Sequence, residues 1–193
     1  MGLLARTLII SLVPLACGCT TYMVKLPAST TFDERSPDAI IVLRVVPMAK
    51  ISIEAGAADR QGWRSVGGYA SYASWSEEGF LVLKVKPRTG KQNYAIVEIT
   101  PDSDLLNTYE RRKEEPVLVF HAVAGQVTYV GALKFQVFRE VDGEDKLVLD
   151  QQSDPDDFKI VSEHMARTYP RIRNKIVSEP YRQAERVGSG LPR

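Results

Sequence analysis

The stretch VLVFHAVAGQVTYVGALKFQVFRE, residues 117–140, decides the fold class. It joins two apolar runs rich in Val, Phe and Tyr through Ala124-Gly125-Gln126. β-Branched and aromatic residues fit a pleated, half-buried surface, and a glycine between two such runs supplies a turn, so the stretch predicts a β-hairpin. Gly131 interrupts the second arm, where a glycine marks a bulge or the close approach of another backbone.

Working outward, AIIVLRVVP (39–47) is an almost unbroken apolar run, as in a strand buried on both faces. KISIEAG (50–56) alternates, with Ile51 and Ile53 on one side and Ser52 and Glu54 on the other. FLVLKVKP (80–87), YAIVEIT (94–100) and KLVLD (146–150) read as further strands, and SDLLNTYERRKEE (103–115) as a polar stretch with a short helical turn. The period changes at Asp154-Pro155-Asp156-Asp157, which offers an N-cap, a proline for the first helical position and acids for the first turn. Phe158, Val161, Met165 and Tyr169 recur at helical spacing, Pro170 breaks the run, and Arg171 to Glu179 resumes as a second helix with Ile172 and Ile176 inward. The pattern predicts a mainly β protein: an antiparallel β-sandwich of about six to eight strands with one or two C-terminal α-helices. Alternating βαβ units are absent, which weighs against a nucleotide-binding sheet.

The N-terminus carries different information. Arg6 precedes an uncharged run from Thr7 to Ala16, too short to span a bilayer as a permanent helix, which ends on small residues as a secretory signal does. Both cysteines, Cys17 and Cys19, follow it. Leu15-Ala16-Cys17-Gly18-Cys19 resembles the lipobox of bacterial lipoproteins, with Cys19 the acylated residue and Gly18 the small residue before it. Cys17 is the alternative and fits less well, since Pro14 would then stand three positions upstream. Cleavage before Cys19 leaves a mature chain whose one cysteine is acylated, so neither a disulfide nor a catalytic thiol is expected. Thr20, rather than Asp, follows it; by resemblance to Gram-negative lipoproteins this implies the periplasmic face of the outer membrane.

The expected organisation is a signal peptide at 1–18, a lipidated N-terminus and flexible tether at 19–37, a β-sandwich at 38–152, C-terminal helices at 153–180 and a tail at 181–193. A hydrophobic content of 44% suffices for a core, and a formal charge of +1 argues against nucleic acid as a partner. The positive charge gathers late, at Arg167, Arg171, Arg173, Lys175, Arg182, Arg186 and Arg193, a pattern that suits lipid headgroups or an acidic partner as well as a solvated face. The aromatic insert GWRSVGGYASYASWSEEGF (62–80) presents Trp63, Tyr69, Tyr72 and Trp75 among glycines and serines, either as a binding loop for a glycan or protein or as a cap on the sandwich. His121 falls in a strand and His164 on a helix surface, without converging ligands or an orienting carboxylate at a recognisable spacing. Gly188-Ser189-Gly190 does not meet the spacing of a nucleophile elbow, and the acids at 102/104 and 142/144/145 miss the EF-hand register. No catalytic residue, metal site or cofactor is therefore expected.

AIIVLRV, the glycine turn before YAIVEI, and FHAVAGQVTYVGALKF together resemble small envelope lipoproteins whose domain is a prealbumin-like or carboxypeptidase-regulatory-like β-sandwich, over roughly residues 39–150. That resemblance implies the sandwich and transfers no catalytic residues. The expectation is a membrane-anchored, non-catalytic module that binds an envelope protein. The alternative is a binder of glycan or cell-wall polymer through the aromatic insert, and a periplasmic enzyme is third.

Overall fold

A computed structural model describes residues 21–23, 26–59, 62–66, 71–101, 116–139, 145–150, 154–185 and 187. The strands are β1 (Thr21–Met23), β2 (Ala39–Val46), β3 (Ala49–Asp59), β4 (Gly62–Ser65), β5 (Ser71–Trp75) and β6 (Phe80–Val85). They continue with β7 (Lys91–Pro101), β8 (Val117–Val123), β9 (Val127–Arg139), β10 (Asp145–Asp150), β11 (Ile176–Ser178) and β12 (Arg182–Ala184), with one helix, α1 (Asp157–Thr168), before the last two. One sheet has the order β1-β5-β3-β7-β8-β12, with β4 attached to β3; the other runs β10-β9-β2-β6, with β11 attached to β9. The protein is thus mainly β, a two-sheet sandwich with a helix near its C-terminus. Most pairs are antiparallel, but β2 runs parallel to β9, β1 to β5 and β11 to β9.

β2 shows why its sequence is apolar throughout. Ile41, Leu43 and Val45 enter the core between the sheets, with Ile51 and Ile53 of β3, Leu83 of β6, Ile96 of β7 and Leu118 of β8. Ile40 and Val42 enter a second core, under Val161 and Met165 of α1. A third cluster lies on the outer face of the first sheet, where Trp63 covers Ala95, Val117 and Val119.

Gly131 makes the fold of β9 possible. Before it, Val127 and Tyr129 face the helix and Val130 faces the inter-sheet core; after it, Leu133 and Phe135 face that core. An unbroken two-residue alternation cannot satisfy both halves. The register between β2 and β9 shifts between Val42 and Arg44, which pair with Tyr129 and Ala132, so an extra residue of β9 resets the phase. Gly131 adopts φ +114°, and a Cβ there would lie 3.2 Å from ring carbons of Tyr181. It is both a bulge and a close approach.

The structure corrects several expectations. β8 and β9 follow one another but do not pair, because they belong to different sheets. Their connection is bonded to the lead-in of β2 instead: Gly125 N–H donates to Asp38 O at 2.7 Å, and Ile40 N–H to Gln126 O at 3.0 Å. Residues 171–179 are not a second helix. Ile172 and Ile176 pack into the second core, but from an extended chain ending in β11, since a spacing of four also suits a two-residue period. The expected tail continues as β12 on the edge of β8. Nor is all of 19–37 a tether: β1 pairs with β5, and Leu26 and Phe32 are buried in the second core. The expected helical turn at 103–115 lies outside the described residues.

After α1 the chain therefore serves as a strap. β11 lies along β9, Tyr181 donates its hydroxyl to Ala132 O at 2.8 Å, β12 lies along β8, and Trp63 N–H donates to Glu185 O at 2.8 Å. Edges of both sheets are covered by one segment, which removes exposed backbone that would otherwise template aggregation.

Candidate functional site

Chemistry-bearing side chains meet beneath the first turn of α1. Arg44, the one charge within the apolar run of β2, donates from Nη1 to Oδ1 of Asp157, whose side chain is 3% exposed. Lys134 Nζ lies 3.1 Å from Oδ2 of Asp157, an ion pair off hydrogen-bond alignment, and 3.8 Å from Asp154 Oδ2. Asp154 also accepts the N–H of Asp156 at 3.0 Å, in the turn before the helix; the N-cap is Asp156, without a side-chain cap bond, so Asp154 and Pro155 precede the helix rather than capping and starting it as expected. Nearby, burial pushes the Tyr129 phenol up to about 12. Two cations against two carboxylates balance, and no nucleophile–base pair appears among the described residues. The cluster pins the helix to the sheet. Beside it a cavity of about 420 Å³ is lined by Leu118, Tyr129, Leu149, Asp157, Phe158 and Tyr181.

The aromatic insert does not form a four-ring platform. Trp63 is fully buried against the first sheet, and Gly56 leaves room for it, since a Cβ there would sit 2.8 Å from the indole ring. Tyr72 is also buried, edge-on to Tyr94 at 6.2 Å, with its hydroxyl accepting the Lys86 N–H at 3.2 Å. Trp75 is 41% exposed, and Tyr69 lies outside the described residues, as do Cys17 and Cys19. Of the two alternatives, a binding loop or a cap, the packing of Trp63 and Tyr72 suits the cap. Alternation and the fold-over of β4 turn them into packing.

His164 is another correction. Rather than lying on the helix surface it is buried, stacked on Phe80 with ring centroids 3.8 Å apart and planes 14° apart. Burial first, and the Arg167 charge second, hold its pKa below 6.5. His121 is half-buried in β8 opposite Asn93, and burial, then Lys91, lowers its pKa too. The histidines lie with different sheets, and no group of three metal-ligating side chains occurs among the described residues.

What distinguishes the surface is how its two ends differ. Among the described residues eight large apolar side chains are exposed, and five of them, Val46, Met48, Trp75, Phe138 and Val148, stand at one end of the sandwich. The pairings put them there. Val46 ends β2, Met48 follows it, Trp75 ends β5 opposite Lys50, and Phe138 and Val148 lie in the β9–β10 hairpin. β1 runs toward this end from midway along the sheet: Thr21 pairs with Ser71, level with Glu54 of β3 and Ala95 of β7, and Met23 pairs with Ala73. Sequence reasoning missed this polarity, because it depends on which strand termini come together.

No family model matches the chain, and no curated protein or solved structure matches it. Among the described residues no helix is long and apolar enough to cross a membrane.

Proposed function

We propose that this chain is a lipid-anchored module of a bacterial envelope, held by acylated Cys19, that binds a protein partner and performs no chemistry of its own. The observation that carries this reading is the opposition of the two ends. β1 begins two positions after Cys19 and runs toward the apolar end, so an anchor there pulls on the sandwich from the side away from Val46, Met48, Trp75, Phe138 and Val148. Exposed apolar side chains gathered in one region mark interaction surfaces on soluble domains. A glycan platform built on the insert loses two of its four rings to the interior, so a protein partner is favoured.

Fractionation tests the anchor. Cys19→Ser should move the protein from the membrane to the soluble fraction, whereas Cys17→Ser should leave it membrane-bound once processed. Release by Cys17→Ser alone would transfer the anchor to that cysteine.

A further inference from the structure

Cations gather at the end of the sandwich opposite Val46, Met48 and Trp75. Lys86 and Lys91 flank the β6–β7 turn, whose Gly90 carbonyl accepts the Ala124 N–H at 2.7 Å. Arg171, Arg173 and Lys175 approach the same β8–β9 turn, where Asn174 donates to Gly125 O at 2.9 Å. Along this segment Ile172, Asn174 and Ile176 are half-buried and the three cations between them exposed, as an extended chain requires. Arg35 joins them across an open hollow shared with Arg171 and Arg173. Asp33 and Glu34 are the acids of that hollow, and Asp38 is engaged by Lys84 at 3.5 Å. Among the described residues Arg35, Lys86, Arg88, Lys91, Arg171, Arg173 and Lys175 are thus exposed at this end, against the acids Asp33 and Glu34 of the hollow.

We infer that this end rests on anionic phospholipid headgroups, with Arg35, Lys86, Lys91, Arg171, Arg173 and Lys175 facing the bilayer. The inference rests on the lipid-anchor reading and adds an orientation to it. Because β1 runs from the side of this end toward the apolar one, a lipid attached two positions before Thr21 draws this end toward the surface, and contact brings its cations inside the ~8–10 Å over which such charges act at ordinary salt. Basic residues so placed are attracted to anionic lipid, and the apolar end is then directed away from the membrane.

The test uses the full lipidated chain in vesicles of phosphatidylethanolamine and phosphatidylglycerol, with an energy-transfer acceptor on the headgroups. A donor dye is placed on Thr89→Cys or on Glu77→Cys, at opposite ends. Transfer should be strong from 89 and weak from 77. The difference should collapse in phosphatidylcholine vesicles, in a variant with Arg171, Arg173 and Lys175 all changed to Glu, and for the unaltered surface at about 1 M salt, where the screening length is about 3 Å. Salt needs no substitution, so a folding defect in the variant cannot decide the result. Equal transfer from both positions overturns the inference, as does an orientation that survives both charge reversal and salt. Failure of the chain to float with vesicles overturns the anchor reading itself, which separates the two claims.

Discussion

Replacing Gly131 by alanine isolates the residue on which the phase of β9 depends. Its φ of +114° lies outside the regions open to residues with a Cβ, and such strain costs about 1–3 kcal/mol. The new methyl would also meet the Tyr181 ring at 3.2 Å, tight enough to displace the strap or the bulge. Together these give a loss of about 2–4 kcal/mol, set against the ~5–15 kcal/mol that holds a typical domain. At roughly 2–4 °C per kcal/mol for a chain of this size, Tm should fall by about 5–12 °C. Gly90→Ala is the control: φ is +74°, near the left-handed well, and nothing lies within 4 Å of the added atom. It should cost about 1 kcal/mol or less. Urea denaturation of the two variants beside the parent provides the comparison. A Gly131→Ala loss below about 0.5 kcal/mol, or equal losses at both positions, would refute the phase-shift argument.

The remaining expectations concern charge, protons and packing. Asp157→Asn leaves Lys134 only Asp154, at 3.8 Å, and removes the carboxylate that Arg44 and Lys134 share. Because their side chains keep 22% and 23% exposure, the cost should be about 2–3 kcal/mol, below the ~3–5 of a fully buried broken pair. Replacing all three by Met, Met and Leu should recover most of that stability in the same urea assay. His121 and His164 have folded pKa values below 6.5, so the unfolded chain takes up protons first. Stability present above about pH 6.5 is therefore lost as pH falls through the folded values, and His164→Leu should shrink the Tm drop between about pH 7.5 and 5.5. Trp63→Ala should destabilise by about 3–5 kcal/mol, whereas Trp75→Ala should change stability by less than about 0.5, as calorimetry would register.

Much of the architecture was legible because single residues carried it. The two-faced apolar run of β2 had one physical explanation, which held. Of the two open for the glycine in β9 the bulge held, while the close approach came from the Tyr181 ring rather than from a backbone. Connections were harder to read. The Ala124-Gly125-Gln126 turn looks the same whether its arms pair or cross between sheets, and the choice is made by Asp38 and Ile40, remote in sequence. Ile172 and Ile176 satisfy helical and extended periods equally, and Pro170 leaves either open. Leu26 and Phe32 stand among polar residues, so their burial depends on a sheet face that other strands build. The buried cluster had one signal, Arg44 inside an apolar run. Asp157 had a sufficient local explanation in the helix dipole, which concealed its partner. Trp63 and Tyr72 showed the limit of composition: aromatics among glycines and serines suit a binding loop and a folded-over cap alike, and backbone space at Gly56 favours the cap.

On the proposed reading the apolar end meets a protein while the opposite end is held at the membrane. Photo-crosslinking in the native envelope distinguishes the ends, with photoreactive residues at Met48 and Phe138 at one end and at Thr89 at the other. Met48 and Phe138 should yield a discrete protein adduct that is lost when Val46 and Val148 are changed to Asp, and Thr89 should yield lipid adducts. Protein adducts from Thr89 alone, or glycan captured at the apolar end, would contradict that reading.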